Sequence, residues 1–479
     1  MSTAPASRPV TAELREGSYG DQVLVVEPGG AGMVPDAERH GRPLDLLWTW
    51  TSPNLEFATV FVGFIAIAFF GQSFAQAVVA IVVGTALGSI TMGVLSARGP
   101  RTGLPQMITS RVAFGRLGNV LPAGINTVTA GIGWFAVNAV SGALALAALT
   151  HLPKLLSLLI VVVLMMTIAF FGHNLIQAFE RYVVPVLGVI FLVAVVIIFS
   201  KAHPGSVHQH GGTGGFLLTV GAAFGYAAGW NPYASDYTRY LPSAASARLT
   251  GLFAGLGVFL SCVVLETVGA ALLTIKGVDP FGANPTGEFA GQLGAWRDVT
   301  LLAIAIGSIA ANVLNVYSGA MSFLAVGIEL PLRLRRAIAA VSFGIVGAIL
   351  AATSLNEPDR YENFLLIIAY WIGPWLGVFL TDQLLRRGKD VSGLPFDRKH
   401  NPFAGVIAMA AGMAVSITLF SNQSKFQGFL ARHHPGLGDI AFEVGFLVAA
   451  AVYAGLFFLE RQQSVEEAAI VPETAPQPA

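Results

Sequence analysis

The chain has 479 residues, of which 54% are hydrophobic and 11% charged, with a mean hydropathy of +0.68; soluble domains carry about 25% charged residues, so the composition belongs to a membrane protein. Lys and Arg (27) balance Asp and Glu (27), which argues against a nucleic-acid partner. The single Cys262 excludes an internal disulfide and a thiolate metal cluster.

In chain order, residues 1–47 read as a polar cytoplasmic tail without the apolar core of a cleavable signal peptide. Apolar runs close to the ~20 residues that cross a bilayer follow at about 53–77, 78–97, 119–149, 153–172, 181–200, 215–234, 248–275, 298–326, 335–353, 361–385, 402–422 and 437–459. These twelve predict an all-α integral membrane protein. Residues 48–390 form a core of ten spans, 391–460 hold spans 11 and 12, and 461–479 read as a disordered C-terminal tail. The outer connection 276–297 has room for a short surface helix. An even count puts both termini in the cytoplasm. The inner connections then hold fifteen Lys or Arg, from Arg98 to Lys399, and the outer ones seven. That bias fits the positive-inside rule.

Spans 1–5 and 6–10 are similar in length and odd in number, the arithmetic of an inverted repeat. The first span of each half is irregular: Ser52-Pro53-Asn54-Leu55-Glu56 in span 1 and Gly229-Trp230-Asn231-Pro232 in span 6. A backbone break inside a bilayer survives only where it lines a cavity or a site, and paired broken helices mark the sites of secondary transporters.

Polar groups cluster at matching depth. In span 3, Trp134 and Asn138 are one turn apart and share a face; an indole stacks on a flat heteroaromatic ring while an amide offers it a donor and an acceptor. A structural Trp beside an interhelical amide bond would look the same. Asn312 and Asn315 share a face of span 8 and are open to the same two readings. Trp230 precedes the span-6 break and is placed to close an aromatic sandwich with Trp134. Asp236 and Arg239, three apart near the inner end, suggest a structural or gating ion pair. Glu266 lies inside span 7, where an ionisable group is a functional hypothesis by default: it is either a proton carrier or a carboxyl bonding a neighbouring helix. Glu56 lies near the predicted start of span 1. His203, His208 and His210 cluster in an outer loop and read as solvated. No nucleophile–base pair, zinc spacing or phosphate loop is evident, so no enzyme activity, metal or cofactor is expected.

The run Trp230 to Pro242, with Pro-Tyr-Ala-Ser-Asp-Tyr-Thr-Arg-Tyr, resembles the purine–cytosine permease branch of the nucleobase:cation symporter-1 family. So do Ser110-Arg111-Val112-Ala113-Phe114-Gly115, Gly133-Trp134-Phe135 with Asn138, Asn312 through Phe323, and Asn363-Phe364 with Tyr370-Trp371-Ile372. The resemblance covers about 45–390. It implies the 5+5 inverted-repeat fold of sodium–leucine and sodium–hydantoin transporters, with broken helices 1 and 6 and two peripheral helices. It also implies uptake of a nucleobase, cytosine or a purine, with a co-transported cation. Other heterocycles within the same resemblance are hydroxymethylpyrimidine, thiamine, allantoin and hydantoin. The family's substrate-binding Trp and amide of span 3 fall on Trp134 and Asn138, its span-6 Trp on Trp230, and its last span-8 Asn on Asn315. Fungal members carry Asn-Asn-x-Pro-Asn where this chain reads Ala311-Asn312-Val313-Leu314-Asn315, so the first Asn and the Pro are absent. Sodium-dependent relatives supply span-8 hydroxyls, whereas here only Ser308 lies upstream of Asn312. The expected co-transported cation is a proton, with sodium as the alternative, and Glu266 and Ser308 are the candidate coupling residues. Phe364 and Leu365 near the outer end of span 10 are expected to form a thin gate. The expected partners are the nucleobase-like substrate and the lipid bilayer of the plasma (inner) membrane, around a monomer or weak homo-oligomer.

Overall fold

The computed structural model describes residues 10–15, 18–28, 30–208, 210–279, 284–328, 335–355, 359–460 and 470–471. It is helical. Among the described residues the only strands are a two-residue parallel pair, Val10–Thr11 with Ile470–Val471. The C-terminal tail predicted over 461–479 lies outside the described residues apart from that pair.

Helices α1 (Asp45–Asn54) and α2 (Phe57–Ala68) form one apolar element bent by 59°. Next come α3 (Phe74–Ser96), α4 (Val120–Thr150), α5 (Lys154–Phe171) and α6 (His173–Lys201). The second half runs α7 (Gly212–Ala228), α8 (Ala234–Thr238), α9 (Ala247–Leu272), α10 (Pro285–Gly291), α11 (Arg297–Ala325), α12 (Arg335–Ser354) and α13 (Asp359–Leu385). It is followed by α14 (Ala404–Phe420) and α15 (Ala441–Glu460). Among the described residues nine helices are long and apolar enough to cross a membrane, or ten with the bent pair. The predicted runs 215–234 and 402–422 fall on α7 and α14, each of 17 residues.

Two boundaries differ from the sequence expectation. The first element starts at Asp45, not at 53, so Ser52–Glu56 is its interior break and not its edge. Polar Ser52, Asn54 and Glu56 interrupt the hydropathy run and hide the turn that precedes them. Likewise α6 starts at His173, eight residues before the apolar run, and so includes Glu180. The outer connection does hold a short helix, α10, whose Asn284 side chain accepts from the Gly287 amide at 3.0 Å. It is not merely superficial, because Phe289 is fully buried and packs on Phe57 at 6.0 Å between ring centroids. Residues 280–283 of that connection lie outside the described residues.

Apolar side chains face outward as well as inward. Val186, Val189, Leu192 and Val196 on α6 are all more than half exposed, a surface suited to hydrocarbon. Inside, small residues set the helix separations. A Cβ at Gly84 of α3 would collide with the Val220 carbonyl of α7, and one at Gly251 of α9 with the Gly93 carbonyl of α3. Without water between helices, such close backbone approach is what holds a bundle together. Helices α14 and α15 pack on each other and on α13, beside the rest of the bundle.

Candidate functional site

The first break is built by Pro53 and by Leu55 and Glu56, whose backbones leave the helical region (Glu56 φ −154°, ψ 176°). The freed carbonyl of Asn54 accepts from the Thr59 hydroxyl at 2.6 Å. The Leu55 carbonyl lies against Gly307 of α11, where any side chain would collide with it. The break thus fits tightly into α11, and its backbone groups are not left to lipid.

The second break follows α7, where Gly229 and Trp230 lead into a 3₁₀ turn, Asn231–Tyr233, and then α8. Asn231 donates to Thr91 of α3 at 2.6 Å. The Trp230 indole N–H donates to Asn54 Oδ1 at 3.0 Å, so the two breaks are joined directly. The Trp230 ring also packs on Trp50 (5.9 Å) and Tyr233 (5.7 Å).

On α4 the helix widens into a π turn over Thr129–Trp134, a distortion that recurs at functional sites. Gly131 lets α4 touch Gly319 of α11 there. Trp134 ends the turn and packs edge-on against Tyr226 of α7 (5.6 Å) and Phe364 of α13 (5.0 Å). The Gly229 backbone lies beside its ring, so Trp134 and Trp230 flank the second break, with the Trp230 ring turned towards α1.

The three amides converge. Asn138 and Asn315 both donate to Asn312 Oδ1, at 3.2 and 3.3 Å. Asn312 is itself held by donation to the Phe135 carbonyl at 2.8 Å and to the Met165 sulfur at 3.2 Å. It acts as the hub. Among the described hydrogen bonds, none is made by the side-chain oxygens of Asn138 and Asn315, although both residues are buried. Each keeps an acceptor and a second N–H for another partner. Amides this deep need partners, and this pair, beside an indole, suits the edge of a planar heterocycle.

The ionisable residues separate by place. Glu266 accepts from Thr85 of α3 at 2.9 Å, and its backbone packs on Gly63 of α2. The Ser308 hydroxyl donates to its own helix, to the Ala305 carbonyl at 2.8 Å. Glu56, read from sequence as an edge residue, is fully buried at the first break. Its carboxylate accepts from Ser141 of α4 at 3.1 Å and from Tyr226 at 3.5 Å. Glu180 is buried beside Ser52, with neither oxygen in hydrogen-bond geometry. Sequence reasoning passed over Glu180 because the apolar run begins one residue later. The clue for Glu56 was present in the Ser-Pro-Asn-Leu-Glu run itself.

The Asp236–Arg239 pair expected from the sequence is replaced. Asp236 accepts from the Gln106 amide at 2.8 Å, and Arg239 turns to Glu27 of the N-terminal segment at 3.2 Å. A partner distant in sequence displaces the neighbour three residues away, because α8 is too short to set its own side-chain pairs against the packing around it. Glu27 also meets Arg336 (3.6 Å) and Arg15 (3.7 Å), and accepts from Tyr317 (3.2 Å) and Tyr240. Burial opposes its charge, but Arg336, Arg239 and Arg15 outweigh that and hold the carboxyl below its ordinary range. Tyr19 and Val34 pack with Tyr240, so the described part of the polar segment docks into the bundle. Phe364 lies on Trp134 as described, and Leu365 is buried with its carbonyl against Gly225 of α7. Among the described residues no cluster of His, Cys, Asp and Glu could hold a metal.

Comparison with known proteins fits this architecture. Residues 33–445 match the model of the family described as permease for cytosine/purines, uracil, thiamine, allantoin. The purine-cytosine permease fcyB of Emericella nidulans is 30% identical over 90% of this chain and 88% of its own length. YxlA of Bacillus subtilis is 29% identical over 88% of this chain and 93% of its own length. Among solved structures, Mhp1, a nucleobase-cation-symport-1 family transporter in a closed conformation with bromovinylhydantoin bound, superposes with a TM-score of 0.71. It covers 96% of this chain and 97% of its own at 16% identity, a likeness of fold. The protein is a membrane transporter and not an enzyme, and it belongs to the nucleobase:cation symporter-1 family, in its purine–cytosine permease branch.

Proposed function

We propose that this chain imports a nucleobase, cytosine or a purine, by symport with a proton. The observation that carries the reading is the amide cluster: Asn138 and Asn315 are oriented by Asn312 and keep free hydrogen-bonding groups beside Trp134. Trp134 stacks the ring, the two outer amides read its edge, and Trp230 holds the breaks together through Asn54. The relatives named purine-cytosine permeases in Emericella nidulans and Saccharomyces cerevisiae support the substrate class.

The transport cycle in this reading is one of alternating access. Twelve spans, ten of them as a 5+5 inverted repeat, have both termini in the cytoplasm. Helices α4 and α11 are scaffold, and the broken elements rock against them, exposing the site to each side in turn. Phe364 and Leu365 close it from outside, while Arg239 and Glu27 close it from inside. Helices α14 and α15 are peripheral.

Uptake of labelled cytosine by proteoliposomes, with and without sodium and with a panel of purines, pyrimidines, allantoin, thiamine and hydantoins as competitors, tests the proposal. Saturable uptake, competed by purines and driven by protons, is the expected result. Competition by hydantoins or allantoin alone would reassign the substrate.

A further inference from the structure

Among the described residues, three fully buried glutamates within the spans make no ion pair: Glu56, Glu180 and Glu266. An uncompensated buried charge costs several kcal/mol, so each requires an explanation. They differ in what surrounds them. Glu266 faces Thr85 on the α3 side, and Glu180 sits beside Ser52 at the end of α1. Only Glu56 touches the substrate cluster. Ser141, which donates to it, is one turn from Asn138 on α4, and Tyr226, which reaches its other oxygen, carries the ring that packs on Trp134. The amides of Ala58 and Thr59 at the start of α2 also point to this carboxyl.

We propose that Glu56 carries the co-transported proton and, in its protonated form, reads the substrate edge together with Asn138 and Asn315. This rests on the nucleobase reading above. The chemistry is one of matching. Cytosine and adenine present a ring-nitrogen acceptor beside an exocyclic amine donor. An ionised carboxylate offers acceptors only, so it meets the ring nitrogen with a negative oxygen. A carboxylic acid donates its O–H to the ring nitrogen and accepts from the amine. Binding therefore requires the proton, and coupling follows from recognition. No covalent bond to the base forms. When the site opens inward, the O–H bond breaks, its proton passes to cytoplasmic water, and the base leaves. The electron pair stays on the carboxylate, which the Ser141 and Tyr226 hydroxyls and the α2 amides stabilise on the empty return. Outer water then reprotonates it. A base with two adjacent donors, such as guanine with N1–H beside its 2-amino group, pairs with the ionised form instead.

The groups around Glu56 from each packed element limit the alternatives. Helix α7 supplies Tyr226, Glu180 of α6 lies beside Ser52, four residues back along the break, and Glu266 of α9 is turned to Thr85. Helices α4 and α11 supply the neutral Ser141, Asn138, Ser308 and Asn312. The two other carboxyls are therefore the controls.

The test uses the full chain in proteoliposomes with labelled cytosine. An inward proton gradient equivalent to ~100 mV drives wild-type accumulation of up to about fiftyfold for one proton per base. Glu56→Gln keeps a donor and an acceptor but cannot titrate. It is expected to retain cytosine counterflow and to lose both accumulation above equilibrium and cytosine-induced proton uptake. Its cytosine affinity becomes flat with pH, while the wild type tightens on acidification. Guanine competition is not strengthened by acid in either. Glu180→Gln and Glu266→Gln retain driven accumulation. Proton-driven accumulation by Glu56→Gln, or its loss in Glu266→Gln or Glu180→Gln alone, overturns the inference. Should Glu56→Gln lose counterflow, Glu56→Asp decides: restored proton-driven uptake supports the role, and a folded but inert protein overturns it. Wild-type uptake driven by sodium alone overturns the proton role while leaving the transport reading intact, and no nucleobase uptake at all overturns both.

Discussion

Two buried glutamates sit at opposite extremes of compensation. Glu27, in the N-terminal segment, is surrounded by three guanidiniums and two phenols. Glu56, at the first break, has hydroxyls and backbone amides and makes no ion pair among the described residues. A carboxylate whose charge is already matched has its electrostatics settled and serves structure. One that is hydrogen-bonded but unmatched is open to a proton or a ligand. The difference teaches where to look for function: in the charge that the fold leaves unanswered.

The largest effect should come from Glu27. Removing one partner of a buried ion-pair network costs ~3–5 kcal/mol, so Glu27→Ala is expected to lower the unfolding temperature of the purified protein sharply. Glu56→Gln, replacing an unmatched group, should leave that temperature nearly unchanged; equal losses for the two would erase the contrast. Asn138→Ala should weaken cytosine binding by ~1–3 kcal/mol, roughly 5- to 150-fold, at normal membrane expression; unchanged uptake would count against the amide cluster as the site. Trp230→Phe removes the bond to Asn54 that joins the breaks, at about 1 kcal/mol, and should show as a modest stability loss with stacking on Trp134 retained. The smallest effect is one of pH. Because Glu27 is held below its ordinary range, its stabilisation is complete above the unfolded value and is lost only as pH falls through the lowered folded one. Thermal unfolding should therefore be insensitive to Glu27 ionisation near neutrality; a drop centred close to neutral pH that vanishes in Glu27→Gln would contradict the network.

Much of this was legible in the sequence. Apolar runs located every long helix, because a bilayer demands length and hydropathy together. Gly229–Pro232 announced the second break, and the one-turn spacings of Trp134 with Asn138 and of Asn312 with Asn315 placed them on common faces. The hub role of Asn312 was not legible, since it depends on how α4 and α11 approach at Gly131 and Gly319. The break itself was legible in Ser52–Glu56, but the start of the first span was misplaced because hydropathy treats Ser52, Asn54 and Glu56 as a boundary, whereas tertiary packing against Gly307 buries them. Arg239 found Glu27 rather than Asp236 because local spacing says nothing about a segment more than two hundred residues away.

The docked N-terminal segment has a practical consequence. A shortened version that begins at the first hydrophobic helix, a natural choice for producing such a protein, would lack Arg15, Tyr19 and Glu27. Arg239 and Arg336 would then keep their like charges facing a vacated hollow. What hydropathy marks as a disposable leader supplies the anionic keystone of one end of the bundle.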